Sequence, residues 1–337
     1  MTREEPSASG HSSEFLQALA DEKVLLTEGS MYERLRRLPG VQFDADLAQA
    51  AMVFDPPSRQ ALERTHKEYL DIGRAHGLPM VALSDTWRAN RERIERSRFA
   101  AEDVNGACVQ MLCELREETA SATSPVFVGG MLGPKGDAYT PEESPSTHAA
   151  ESFHSYQVER LADTEVDFLK ASTLPSVPEA IGLAQAMSRA PLPYFLSFVI
   201  RSDGTVLDGT PLLDAFDRID QAVATPPTAY YVNCVHPTVL LSAIETLRVD
   251  PTHSGSLARL VGFHANTSAR SPEELDALEE IEAEDPKTFA TMMREVHERH
   301  GIKILGGCCG SGTEHIEYLA RELRRSISRR QQGEGAD

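Results

Sequence analysis

Short apolar runs alternate along the chain with longer stretches whose apolar residues recur every three or four positions. Runs of about four to eight apolar or β-branched residues predict buried strands, and the longer spacing predicts helices packed by one face. The candidate strands are VLLTEG (24–29), PMVALSD (79–85), PVFVGGM (125–131), DFLKAST (167–173), PYFLSFVI (193–200), AYYVNCV (229–235), LARLVGFHA (257–265) and IKILGG (302–307). Helical periods separate them, for example over residues 57–76, 147–161 and 314–323, the last with Thr313 as its expected N-cap. Eight strand–helix units predict one closed parallel barrel, a (β/α)8 TIM barrel, rather than an open sheet.

That pattern occupies residues 21–325. Residues 1–20 and 326–337 are polar and aperiodic, which predicts loose tails. The acidic stretch GDAYTPEESPST (136–147) is readable either as a mobile lid or as a solvated connection. GGMLGPKGD (129–137) is glycine-rich but lacks the spacing of a dinucleotide loop, so no Rossmann site is expected.

Charge and composition narrow the partners. The 52 acidic residues against 33 basic give a net charge of −19, which opposes binding to nucleic-acid phosphates. No apolar run is long enough to span a bilayer, and the polar start MTREEPSASGHSSEF has no secretory apolar core. Five cysteines, an odd number, argue for reduced thiols and hence for a cytoplasmic setting.

Those cysteines carry the candidate chemistry. In a β/α barrel the strands' carboxyl ends converge on the active face. VNCVHP ends the sixth strand with Cys234, and GGCCG ends the eighth with Cys308 and Cys309. An adjacent cysteine pair alone is compatible with core filling, a vicinal redox disulfide or a metal. A third cysteine at another strand end favours the metal. Three thiolates with one open position suit zinc (Zn2+) in a catalytic setting, whereas a structural site would close with a fourth protein ligand. Cys108 and Cys113 fall in the amphipathic run VNGACVQMLCELREE, where they read as apolar residues of an outer helix. His297 and His300 lie in the charged run REVHERHG and are expected on a solvated helix face, while His236, two residues after Cys234, is a candidate supporting residue.

VNCVHP followed by ILGGCCGSGTEHI (304–316) resembles the zinc-binding signature of the homocysteine S-methyltransferase family. The likeness extends to LTEGSM (26–31), THKEYLDIGRAHG (65–77), FVGGMLGPKGD (127–137) and YQVERLADTEVDFLKASTLPSVPEA (156–180). It implies a zinc-dependent barrel that moves a methyl group to a small-molecule thiol, with Cys234, Cys308 and Cys309 on the metal and homocysteine as first choice of acceptor. A barrel without cobalamin or folate modules resembles members using a sulfonium donor such as S-methylmethionine, with a betaine-type donor next. The alternatives are a relative that methylates or demethylates another small thiol, one lacking the α-amino group, and a catalytically silent zinc-holding barrel.

By the same resemblance the substrate side comprises Glu28, Gly29, Ser30, Asp85, Thr86, Trp87, Ser172, Thr173 and Asn233. Three positions depart from the family's pattern. Its first-strand Asp is Glu28, its Asn-Thr after the second strand is Asp85-Thr86, and its fourth-strand Glu-Thr is Ser172-Thr173. The missing glutamate is the group that would pair the acceptor's ammonium, so with homocysteine as acceptor Glu28 or Asp85 is expected to stand in, whereas an amino-free thiol needs no such partner. Trp87, the single tryptophan, suits either an onium donor or core packing.

Overall fold

A computed structural model describes residues 9–21, 24–248, 254–270 and 283–331 of the 337-residue chain. Eight parallel strands close on themselves in sequence order: β1 (Leu25–Thr27), β2 (Met80–Leu83), β3 (Val126–Leu132), β4 (Phe168–Leu174), β5 (Tyr194–Phe198), β6 (Ala229–Val235), β7 (Leu260–Ala265) and β8 (Ile304–Gly307). The closing pair is β1 with β8, in register Leu25↔Ile304. All eight predicted strands are present. The seventh starts three residues later than the apolar pattern suggested, because Leu257 belongs to a short helical turn, Ser254–Leu257.

The helices lie outside the sheet and begin and end where local chemistry requires. The helix Pro56–His76 starts with Asp55 accepting from Ser58 N, carries proline in its first turn, and stops at Gly77 in the left-handed region. Pro286–His300 repeats the device with Asp285 and Gly301. Thr313 is the first residue of the last helix (Thr313–Gln331) rather than its cap, a shift of one position. None of the described helices is long and apolar enough to cross a membrane.

Two corrections concern the expected tails. Ser9–Ala20 forms a helix, α1, beneath the amino-terminal mouth of the barrel. Its Phe15 is fully buried, stacked on Phe168 at 4.4 Å and edge-on to Phe127 and Phe195. One aromatic anchor in an otherwise polar segment outweighs that segment's composition, since an aromatic side chain buries a large apolar area on its own. At the other end the last helix runs on to Gln331, and residues 332–337 lie outside the described part. His297 also departs from its reading. It is buried on the inner face of its helix with Met293 and Val296, and its Nδ1 is 2.8 Å from the Ile302 carbonyl. Its neighbours Glu298 and Arg299 keep the exposed face; His300 is half-buried.

Inside the barrel the lower half is apolar: Leu25, Val81, Phe127, Phe168, Phe195, Ala229 and Ile304 pack with Phe15 below. Towards the carboxyl ends the lining turns polar, with Thr27, Lys170, Ser172, Ser197, Asn233 and His264 all buried. A dry floor under a polar mouth fixes where chemistry is available.

Candidate active site

β7 lies between β6 and β8, so the three strand ends share one edge of the mouth. At Cys234 the backbone enters the left-handed region, φ 59°, and the β6–β7 register shifts between Asn233 and Val235. Such a conformation costs a non-glycine residue roughly 1–3 kcal/mol, so surrounding bonds must hold it. Asn266, just past β7, does this on both sides. Its Nδ2 donates to the Cys234 carbonyl at 2.9 Å, and its Oδ1 accepts from Cys309 N at 3.1 Å. Cys308 N donates to the Ala265 carbonyl, and Thr267 N to that of Cys309. The glycines before the cysteine pair are required by close approach, not by unusual angles. A Cβ on Gly306 would lie 1.9 Å from Thr27 Oγ1, and one on Gly307 would lie 1.9 Å from Ser311 Oγ.

The result is a cluster of three sulfurs, those of Cys234, Cys308 and Cys309, all within 4.8 Å of one another. Cys234 Sγ is 2.7 Å from Cys308 Sγ and 3.7 Å from Cys309 Sγ. Tetrahedral zinc with Zn–S of about 2.3 Å places sulfur ligands about 3.8 Å apart; the Cys234–Cys309 separation matches that spacing, and Cys308 would move outward from Cys234 by about 1 Å to share the ion. Among the described residues it is the one such group of metal-ligating side chains. The donor chemistry agrees. Hydrogen bonds from the Cys308 and Cys309 thiols, against the opposing effect of burial and with help from the Tyr139 hydroxyl, hold the Cys234 thiol well below its ordinary pKa. Tyr139 belongs to the acidic 136–147 stretch, so part of that stretch closes over the sulfurs.

Beside β8, at the ends of β1 and β2, three titratable groups form a line. His66, fully buried in the helix Pro56–His76, places Nδ1 on Glu28 Oε1 and Nε2 2.8 Å from Asp85 Oδ2. Burial presses the imidazole towards neutrality, but the two carboxylates outweigh it and raise its pKa to about 10. His66 is therefore an imidazolium shared by two carboxylates. Glu28 spends its other oxygen on Leu83 N at 3.1 Å. Both of its oxygens are thus taken by the protein, which opposes the expectation that it stands free for an ammonium.

β4 supplies the third element. Thr173 has φ 65°, with a register shift towards β5 between Ala171 and Leu174. Asn233 fixes it: Oδ1 accepts from Thr173 N, and Nδ2 donates to Thr173 Oγ1, both at 2.9 Å. Ser197 also donates to Asn233 Oδ1. Three positions before Thr173, Lys170 enters the lumen. Its Nζ donates to Ser172 Oγ at 2.8 Å and lies 4.8 Å above the Tyr231 ring. Burial lowers its pKa to about 7, against the opposing pull of the Cys308 and Cys234 sulfurs.

A family model described as homocysteine S-methyltransferase matches residues 25–323. The chain belongs to the homocysteine S-methyltransferase family. It is 28% identical over 320 residues to the S-methylmethionine–homocysteine S-methyltransferase BHMT2 of Pongo abelii, covering 91% of this chain and 80% of that protein. To the homocysteine S-methyltransferase YbgG of Bacillus subtilis it is 21% identical, over 89% of this chain and 95% of the other. The metallated crystal structure of the homocysteine methyltransferase MmuM from Escherichia coli shares the fold, with TM-score 0.72, 22% identity and coverage of 91% and 99%.

Membership in the homocysteine S-methyltransferase family gives the remaining expected residues a frame. Trp87 is half-buried, donates Nε1 to the Ser172 carbonyl at 3.2 Å, and carries the Arg88 guanidinium 4.1 Å above its ring. It thus packs and hydrogen-bonds at the β4 end. Ser30 caps the short helix Met31–Leu35, accepting from Glu33 N, while its own N–H goes to Ser311. Gly29 lies against the Tyr69 hydroxyl and the Ser311 carbonyl. Thr86 donates to the Met131 carbonyl. These three therefore shape the mouth through the backbone. His236 is buried at the cap of the next helix, bonded to Thr238, with Nε2 unpartnered among the described residues.

Lys170, His66, Asn266 and Tyr139 were not named as site residues from the sequence, although His66 lies in the quoted THKEYLDIGRAHG and Tyr139 in the 136–147 stretch. Lys170 left a further signal: a charge inside an apolar run, in step with Ser172 at period two. Cys108 and Cys113 sit as expected on an outer helix, Val104–Thr119, bonded to the carbonyls of Ala50 and Glu165. Replacing either by serine is expected to leave metal content unchanged while lowering stability by about 1–3 kcal/mol through burial of a hydroxyl. Metal analysis with urea melts checks this, and metal loss in either variant would mean a closed four-sulfur site.

Proposed function

We propose that this barrel is a zinc-dependent S-methyltransferase that moves a methyl group from an onium donor, S-methylmethionine-like or betaine-like, to the thiol of homocysteine, giving methionine. The convergence of Cys234, Cys308 and Cys309 from two strand ends carries the reading. Zinc bound there supplies the Lewis acidity that makes the acceptor's sulfur a thiolate at neutral pH, where a free thiol is only a few per cent ionised. The chain's own residues do the rest. Asn266 holds the Cys234 and Cys309 backbones in one geometry, and the Tyr139 hydroxyl bonds the Cys234 sulfur. Asn233 fixes the bend at Thr173, placing the β4 end opposite the cluster. Transfer then depends on holding donor and acceptor in line, a matter of proximity and orientation. The need for reduced thiols fits work in the cytoplasm.

Metal analysis should give about one zinc per chain, and the zinc-loaded protein should convert homocysteine and S-methylmethionine to methionine. Full zinc with no transfer to any thiol from either class of donor would leave a zinc-holding barrel without this activity.

A further inference from the structure

Lys170 is 1% exposed in the centre of the barrel, and among the described residues its neighbours are the Ser172 hydroxyl, the Tyr231 ring, the Cys308 and Cys234 sulfurs and the His264 imidazole. Among the described residues no carboxylate pairs with it. Glu28 and Asp85, the carboxylates at the ends of β1 and β2, are bonded to His66. Burial without a counter-ion disfavours the ammonium form of Lys170, and a ligand carboxylate paired with Nζ would restore that charge. Nζ has three donors and Ser172 takes one, leaving two for an anion. At Ser172, where the resemblance implies a carboxylate for an ammonium, the chain offers only a hydroxyl, already facing the lysine.

We infer that Lys170, presented by Ser172, is the anchor for the acceptor's carboxylate, so that the acceptors are mercapto-carboxylic acids whose α-ammonium is dispensable. The inference rests on the thiol-methyltransferase reading and specifies its acceptor. Homocysteine qualifies through its carboxylate, not its amino group. With a zinc ion held by Cys234, Cys308 and Cys309, the sulfur-rich mouth would disfavour a further anion unless a cation such as Lys170 received it.

Three thiols separate the contributions: homocysteine, 4-mercaptobutyrate, which lacks only the amino group, and 3-mercaptopropylamine, which lacks only the carboxylate. In the wild type, losing the amino group should cost less than about tenfold in kcat/KM and losing the carboxylate about 100-fold, the usual scale for a buried charge pair left half-made. Lys170→Met should cost homocysteine and 4-mercaptobutyrate about 100-fold, mostly in KM, and leave 3-mercaptopropylamine unchanged. Ser172→Glu, which gives Lys170 an internal partner, should reproduce the loss for 4-mercaptobutyrate and guards against misfolding of the first variant. If Lys170→Met lowers all three thiols equally, the lysine only balances the charge of the sulfurs, and the inference is overturned. It is overturned too if the wild type prefers the amine to the acid. Should no thiol be methylated by any variant, the methyltransferase reading fails. Calorimetric binding of 4-mercaptobutyrate and 3-mercaptopropylamine to the zinc-loaded wild type and Lys170→Met then decides the carboxylate anchor by the same ratio.

Discussion

Cys308→Ala and Cys309→Ala are each expected to lose zinc and methyl transfer together while the barrel stays folded. Each removes one of three sulfurs from a site that has no fourth cysteine within reach, since Cys108 and Cys113 are buried on the outer helix. Two remaining thiolates leave two coordination positions to water, and soft sulfur ligands are what hold the ion against exchange. Activity should fall by at least about a thousandfold, the scale on which removing one member of an obligate catalytic unit acts. Stability in the metal-free state should change by less than about 1 kcal/mol, because both residues are only half-buried at the mouth. Metal analysis, turnover and a urea melt of the same preparations test the three parts. Full zinc occupancy in Cys308→Ala would remove that sulfur from the ligand set.

The second large effect belongs to His66. His66→Leu should destabilise the fold by about 3–5 kcal/mol, since it leaves the Glu28 and Asp85 carboxylates buried without the cation they share. The pH dependence follows from the direction of the shift. The folded-state pKa of about 10 lies above the ordinary 6.5, so the stabilisation is fully present below pH 6.5 and is lost as pH rises through 10. Over that window the wild type should lose roughly 1.4 kcal/mol per pH unit more than His66→Leu does. Chemical denaturation at pH 6, 7.5 and 9 reads the difference. Parallel curves for the two proteins would mean that His66 is neutral in the folded state, and the shared-imidazolium picture would be wrong.

Much of this molecule is legible in one dimension because a barrel repeats a local rule. Eight buried runs separated by amphipathic stretches specify eight strands and their helices, and only Leu257 at the start of the seventh run fell to a neighbouring turn. Where composition was the guide, it misled. The polar stretch before residue 20 reads as a tail until Phe15 meets Phe127, Phe168 and Phe195 from three different strands. REVHERHG likewise reads as solvated, although one helical face of it turns His297 inward.

By itself the sequence determined the barrel, the outer placement of Cys108 and Cys113, and the convergence of Cys234 with Cys308 and Cys309. Strand count and the position of a residue at a strand's end are properties of local pattern. Only the tertiary structure decided that Asn266 locks two cysteine backbones, that Tyr139 reaches the Cys234 sulfur, that His66 bridges Glu28 and Asp85, and that Lys170 faces the lumen with no carboxylate paired to it among the described residues. Each of these is a contact between residues at least nineteen positions apart, or the want of one. Its energy depends on distances and burial set by the closing of the sheet, and no local periodicity encodes them.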